Sequence, residues 1–241
     1  MKRLIWFWAA AFCVGTVPMA TAGDITGKIT LKGKPAPEKQ LPVANDPFCG
    51  KLFAGKPIPT TRFYVVDANG GLADVFVYLK EGVTSKPAPP AEPVKLDQKG
   101  CEYLPYVLGL QTKQKLLVSN SDPLLHNVHP TPTVAGNKES NRAQAANQAP
   151  LEYMFDNPEV FLRFKCDVHP WMFAYVGVVD HPYFAVSGKD GTYKIANVPP
   201  GDYVIEMVHR KTHPSGKGTT QKMKVGPDGA KADFTIEAAA Q

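Results

Sequence analysis

The sequence predicts an all-β protein. Three observations carry that prediction. The 241 residues include 23 prolines and 20 glycines, which leave little room for long helices. The apolar runs are short and rich in β-branched and aromatic residues. Turn chemistry recurs between them, as in Asn69-Gly70-Gly71 and Pro199-Pro200-Gly201-Asp202.

Along the chain, Lys2-Arg3, a mostly apolar stretch at 4–17 and the small residues Ala20-Thr21-Ala22 read as a cleaved signal peptide over residues 1–22. The apolar stretch is too short for a stable membrane span, and an uncleaved anchor is the alternative. The mature chain is expected to be periplasmic or secreted. It is long enough for one large domain or two small ones. Strand candidates follow at 25–31, 61–67 and 73–79, the last two joined through the Asn-Gly-Gly turn. Residues 34–60 read as a long connection and 81–93 as a proline-rich linker. Further strand runs fall at 103–110 and 115–120. His126-Asn127-Val128-His129 then leads into a polar stretch at 131–150, where 143–149 could form a helical turn. Runs at 160–164 and 173–179 flank the chemically distinctive residues, and 193–195, 203–208, 221–225 and 232–236 complete the strands.

The formal charge is +5, of which Lys2 and Arg3 supply two, and the basic residues are scattered. No basic run offers a nucleic-acid surface. Once Cys13 leaves with the signal peptide, Cys49, Cys101 and Cys166 remain. An odd count in an oxidising compartment implies one bonded pair and one thiol with another task. Cys166 has chemistry around it, so Cys49 and Cys101 are the natural pair. Connectivity is not a property of sequence alone, and two buried free thiols are the alternative.

That chemistry lies in Phe164-Lys165-Cys166-Asp167-Val168-His169-Pro170-Trp171-Met172. A thiolate, an imidazole and a thioether fall on one short loop, and His126 lies upstream on a second. Two imidazoles, one thiolate and a weak axial thioether are the ligand set of a blue-copper site. Pro170 stiffens the loop, and Asn127 is placed to hydrogen-bond across to the Cys166 loop behind the ligands. Zinc would prefer a fourth N, O or thiolate ligand over Met172. A Cys166–His169 nucleophile pair lacks an orienting acid and an oxyanion segment, so no enzyme activity is expected. His129 is the nearest alternative ligand in sequence, while His181, His209 and His213 read as structural or exposed.

Residues 95–180 resemble a cupredoxin of the plastocyanin and amicyanin kind. The resemblance rests on Tyr103-Leu104-Pro105 with Val107-Leu108, on Leu117-Val118-Ser119-Asn120-Ser121-Asp122 before His126-Asn127-Val128, and on Cys166-x-x-His169-x-x-Met172. It implies one type 1 copper held by histidine Nδ1 atoms and the Cys166 sulfur. It also implies that His169 lies near the surface as the electron exit, with Pro170 and Trp171 as an apolar docking rim. The polar stretch 131–150 departs from the family.

A second resemblance lies outside that region. Asp190-Gly191-Thr192-Tyr193-Lys194-Ile195 followed by Pro200-Gly201-Asp202-Tyr203 is similar to the carboxypeptidase regulatory-like, or transthyretin-like, sandwich. The runs at 25–29 and 73–79 resemble its earlier strands. The expected organisation is a Greek-key cupredoxin sandwich over 93–180, inserted in or packed beside a split transthyretin-like sandwich of 23–92 and 181–241. A Cys49–Cys101 bond would then tie the two modules together. The expected function is one-electron transfer with a redox protein such as a cytochrome c or a periplasmic dehydrogenase. The alternative is a copper-binding or structural, partner-binding β module.

Overall fold

The computed structural model describes residues 22–238. The expected signal peptide, apart from its last residue, and Cys13 lie outside them. The chain is nearly all β, in four sheets that pack as two sandwiches. Among the described residues, no helix is long and apolar enough to cross a membrane.

One sandwich is built from the middle of the chain. Its larger sheet runs in the order Val107–Gln111, Phe173–Val179, Glu159–Lys165, His126–Thr131, Arg142–Gln144. Facing it are Tyr103–Leu104, Val94–Gln98, Leu116–Asn120 and Leu151–Tyr153. Two pairings are parallel, Val107–Gln111 with Phe173–Val179 and Val94–Gln98 with Leu116–Asn120. Alternation along the strands fills the space between the sheets. Leu162 and Phe164 point inward with Ala174, Val176 and Val178, against Leu96, Leu116 and Val118.

The other sandwich joins the two ends of the described chain. Gly23–Lys32 lies between Thr192–Val198, which is antiparallel to it, and the parallel strands Ala230–Lys231 and Phe234–Glu237. The facing sheet is Phe184–Val186, Phe76–Glu81, Gly201–Val208 and Thr219–Val225. Its core includes Ile25, Ile29, Leu72, Val77, Leu79, Ile195 and Ile205. The sandwiches meet through Phe76 and Phe184, whose rings pack on Gly177 and Gly109. A Cβ at Gly177 would lie 2.3 Å from Cζ of Phe76, so only glycine admits the ring there.

Several expected elements take other forms. Residues 61–67 form no strand: the amides of Phe63 and Tyr64 go to a carboxylate, and those of Thr61, Arg62 and Asp67 to the scattered carbonyls of Lys39, Thr60 and Gly71. Glu38 accepts from the amides of Phe63 and Tyr64 and from the Thr61 hydroxyl, and Asp67 accepts from Asn69 and Gly71. The strand expected from residue 73 becomes regular only at Phe76, after Asp74 with its positive φ of 60°. The run 103–110 is split at Pro105 between the two sheets of one sandwich. In place of a helical turn at 143–149, Arg142–Gln144 pairs with His126–Thr131. The inward residue there is Gln144, whose amide bonds Gln98 and the carbonyl of Val118. A polar residue thus occupies the buried position, and hydrophobic alternation does not reveal it. Val94–Gln98, Leu151–Tyr153 and Phe184–Val186 are further short strands that composition did not mark.

The connection after residue 34 carries the short helix Pro47–Leu52. Asp46 caps it by accepting from the amides of Phe48 and Cys49, and Pro47 occupies the first turn. Cys49 is bonded to Cys101. Leu41, Val43 and Cys49 are buried in the same core as Leu96, Tyr103 and Phe164. The bond therefore lies within one core instead of tying two modules together. The cause is the helix, whose buried face packs on the middle sandwich. A cross-link spanning 52 residues stabilises the fold by roughly 4 kcal/mol in the loop-entropy account.

Candidate metal centre

His126 is the first residue of the strand His126–Thr131, and two features aim it. Asn120 fixes the preceding turn by donating to the carbonyl of Leu124. Asp122 lies 2.9 Å from Nε2 of His126 through Oδ2, while its oxygens also accept from the amides of Gly100 and Cys101. An Nε2 engaged by a carboxylate carries the proton, which leaves Nδ1 of His126 as the free donor atom.

The Cys166–Met172 segment is a tight turn. The Cys166 amide donates to the Met172 carbonyl, and the Met172 amide to that of His169. This closure puts Cys166, His169 and Met172 inside, each 1% exposed, while Asp167, Val168 and Pro170 face solvent. The two loops bring Nδ1 of His126 to 2.9 Å from Nδ1 of His169, which is 3.7 Å from Sγ of Cys166. Ligand atoms of all three residues lie within 4.8 Å of one another. One ion with bonds of roughly 2.0 Å to nitrogen and 2.3 Å to sulfur matches that span. Met172 is buried on the same turn.

Asn127 occupies the position behind the ligands. Its amide donates to Sγ of Cys166 at 3.4 Å, its Oδ1 accepts from the Asp167 amide, and its Nδ2 donates to Asn141. The Tyr103 hydroxyl donates to the Asn127 carbonyl at 2.7 Å, locking the segment from below.

Burial and hydrogen bonding pull in opposite directions on the buried cysteine and on His126. Burial raises the Cys166 thiol, but the bonds from His126 and from the Asn127 amide outweigh it and leave the group below its ordinary value. Burial likewise works against charge on His126, yet Asp122 and Cys166 hold it above the usual histidine value. Burial and the neighbouring His126 hold His169 below it, against the opposing pull of Asp46.

His129 does not face this cluster. Its Nδ1 is 2.6 Å from Asp167 and its Nε2 2.7 Å from Glu139, so both nitrogens are engaged outside the centre. His181 bonds the Leu79 carbonyl, and His209 stacks on Tyr64, both in the other sandwich. One expectation is corrected. His169 is not a surface residue, because the segment around the Pro47–Leu52 helix covers it and places Asp46 Oδ2 3.4 Å from its Nε2. Trp171 is also drawn in, its indole N–H donating to the Cys101 carbonyl. The exposed rim of the loop is Val168 and Pro170. Asp122 and Asp46 were missed from sequence. Their signals are the spacing of Asp122 four residues before His126, and the Asp-Pro helix start just before Cys49.

No family model matches the sequence, and no curated protein matches it. Among solved structures, a Cu(I) form of an amicyanin variant is 20% identical, covering 40% of this chain and 96% of that one, with a TM-score of 0.32. A purple cupredoxin from Nitrosopumilus maritimus is 19% identical over 35% of this chain and 98% of its own, with a TM-score of 0.30. A copper-containing nitrite reductase from Thermus scotoductus SA-01 is 19% identical over 41% of this chain, with a TM-score of 0.33, and the chain spans 24% of that protein's length.

Proposed function

We propose that this chain is a type 1 copper protein that carries single electrons in the periplasm or outside the cell. The observation that carries the reading is the buried convergence of His126 Nδ1, His169 Nδ1 and Cys166 Sγ. Met172, on the same turn, is read as the weak axial ligand. Copper, when bound there, supplies reversible one-electron exchange between its two common oxidation states.

The chain's own residues supply the rest. Asn127 and Tyr103 hold the thiolate and its loop in place, and Asp122 orients His126. Donors fixed by such a frame move little when the charge of the site changes, which keeps the barrier to electron transfer low. Four protein ligands leave no position for a substrate, which favours a carrier over an enzyme. A redox protein, such as a cytochrome c or a periplasmic dehydrogenase, would approach the loop at Val168 and Pro170. The sandwich made from the chain ends is read as a transthyretin-like scaffold. Supporting this, Tyr203 of its Pro-Gly-x-Tyr run bonds the Pro199 carbonyl, and Tyr193 bonds that of Ala232.

The test is the visible spectrum of residues 23–241 after one equivalent of copper(II). An intense thiolate-to-copper band, bleached by ascorbate and restored by ferricyanide, is expected. A colourless product removes the copper reading. A coloured product that does not cycle points to the alternative, a copper-binding or structural module.

A further inference from the structure

Resting on the copper reading, we infer that Asp46 is a positioning residue for His169, holding the outer nitrogen of that ligand from a helix that the Cys49–Cys101 bond fixes over the centre. The two carboxylate oxygens of Asp46 face different groups. Oδ1 accepts from the amides of Phe48 and Cys49, both at 2.8 Å, and so caps the Pro47–Leu52 helix. Oδ2 faces Nε2 of His169 at 3.4 Å. That nitrogen is buried and makes no hydrogen bond of good geometry, Asp46 standing at ion-pair distance from it. A buried ring N–H without an acceptor is costly, and the facing carboxylate is the acceptor placed to relieve that cost.

The arrangement parallels the one at the first histidine. Asp122 holds Nε2 of His126 at 2.9 Å, and the same carboxylate accepts from the amide of Cys101. Both imidazoles thus present Nδ1 to the centre and turn their other nitrogen to an aspartate. Both aspartates are tied to the same disulfide, Asp46 through the amide of Cys49 and Asp122 through that of Cys101. A carboxylate on the far nitrogen fixes the ring tautomer and makes the ligand more basic. It also places negative charge near the metal, which favours copper(II) over copper(I).

The separate tasks of the two oxygens make the assignment testable in the full mature chain. Asp46→Asn and Asp46→Ser both keep a good helix cap and remove the charge that faces His169. Copper(II) and copper(I) affinities are measured by chelator competition, and the reduction potential by voltammetry. In both variants copper(II) affinity is expected to fall about 10- to 100-fold. Copper(I) affinity should change much less, so the potential rises while the blue band persists. A potential that stays at the wild-type value in both variants overturns the assignment. So does an equal weakening of both oxidation states, which is the signature of a merely structural role. A wild-type protein without a blue band defeats the copper reading itself, an outcome separate from either of these.

Discussion

Nδ1 of His126 and Nδ1 of His169 lie 2.9 Å apart although 43 positions separate them in the chain. One sits at the start of a strand and the other on a turn between two strands. Each ring turns its remaining nitrogen toward an aspartate, Asp122 or Asp46. Two basic nitrogens aimed at one buried point beside a thiol that burial alone would keep neutral is an arrangement that a cation stabilises.

Cys166→Ser should remove the blue band and leave the fold in place. The serine oxygen can still accept the Asn127 amide that now reaches Sγ, so no buried donor is orphaned. Visible absorption and a denaturant titration check this together. A wild-type-like band from the variant would remove Cys166 from the centre.

Met172→Gln should retain copper and lower the reduction potential, because a harder amide oxygen favours copper(II). The direction is opposite to that expected at Asp46. Voltammetry on the two variants separates an axial role from a charge effect, and an unchanged potential would take Met172 out of the ligand set.

Gly177→Ala should destabilise the protein by about 1–3 kcal/mol, because its Cβ would lie 2.3–2.5 Å from atoms of the Phe76 ring. Urea unfolding measures the loss. Adding Phe76→Leu should recover part of it if the clash is the cause. Two additive losses would place the strain elsewhere.

His209 is 3% exposed and stacks on Tyr64, and burial chiefly, with the nearby His213 and Arg210, pushes its pKa down to about 4. The unfolded chain therefore takes up a proton near the ordinary histidine value of about 6.5, where the folded chain does not. Stability is full above that value and is lost as pH falls from about 6.5 toward about 4, by at most roughly 3 kcal/mol. Urea midpoints across that window should slope upward with pH in the wild type. The slope should flatten in His209→Gln, and an equal slope in both would assign the dependence to other groups.

Much of the centre was legible because its residue types are rare and closely spaced. Cys166, His169 and Met172 lie on one loop, and soft sulfur beside imidazole narrows the choice of metal. The β class was legible from turn chemistry, and most long strands fall where short β-branched runs lie. Elements held by polar groups were not legible. The run at 61–67 has strand composition, but its Phe63 and Tyr64 amides go to the Glu38 carboxylate. The strand Arg142–Gln144 looks like loop because its inward residue is a hydrogen-bonded glutamine.

By itself, the sequence determined that imidazole and sulfur side chains lie close together between short strands, since both depend on residue type and local spacing. Tertiary structure alone decided what surrounds the centre. A connection with no strand pattern packs its helix on the middle sandwich, buries His169 and brings Asp46 to its outer nitrogen. The Asp122 carboxylate that meets His126 is also held by the Gly100 and Cys101 amides from a distant segment. Such contacts depend on which distant segments share a core, and residue periodicity carries no record of that.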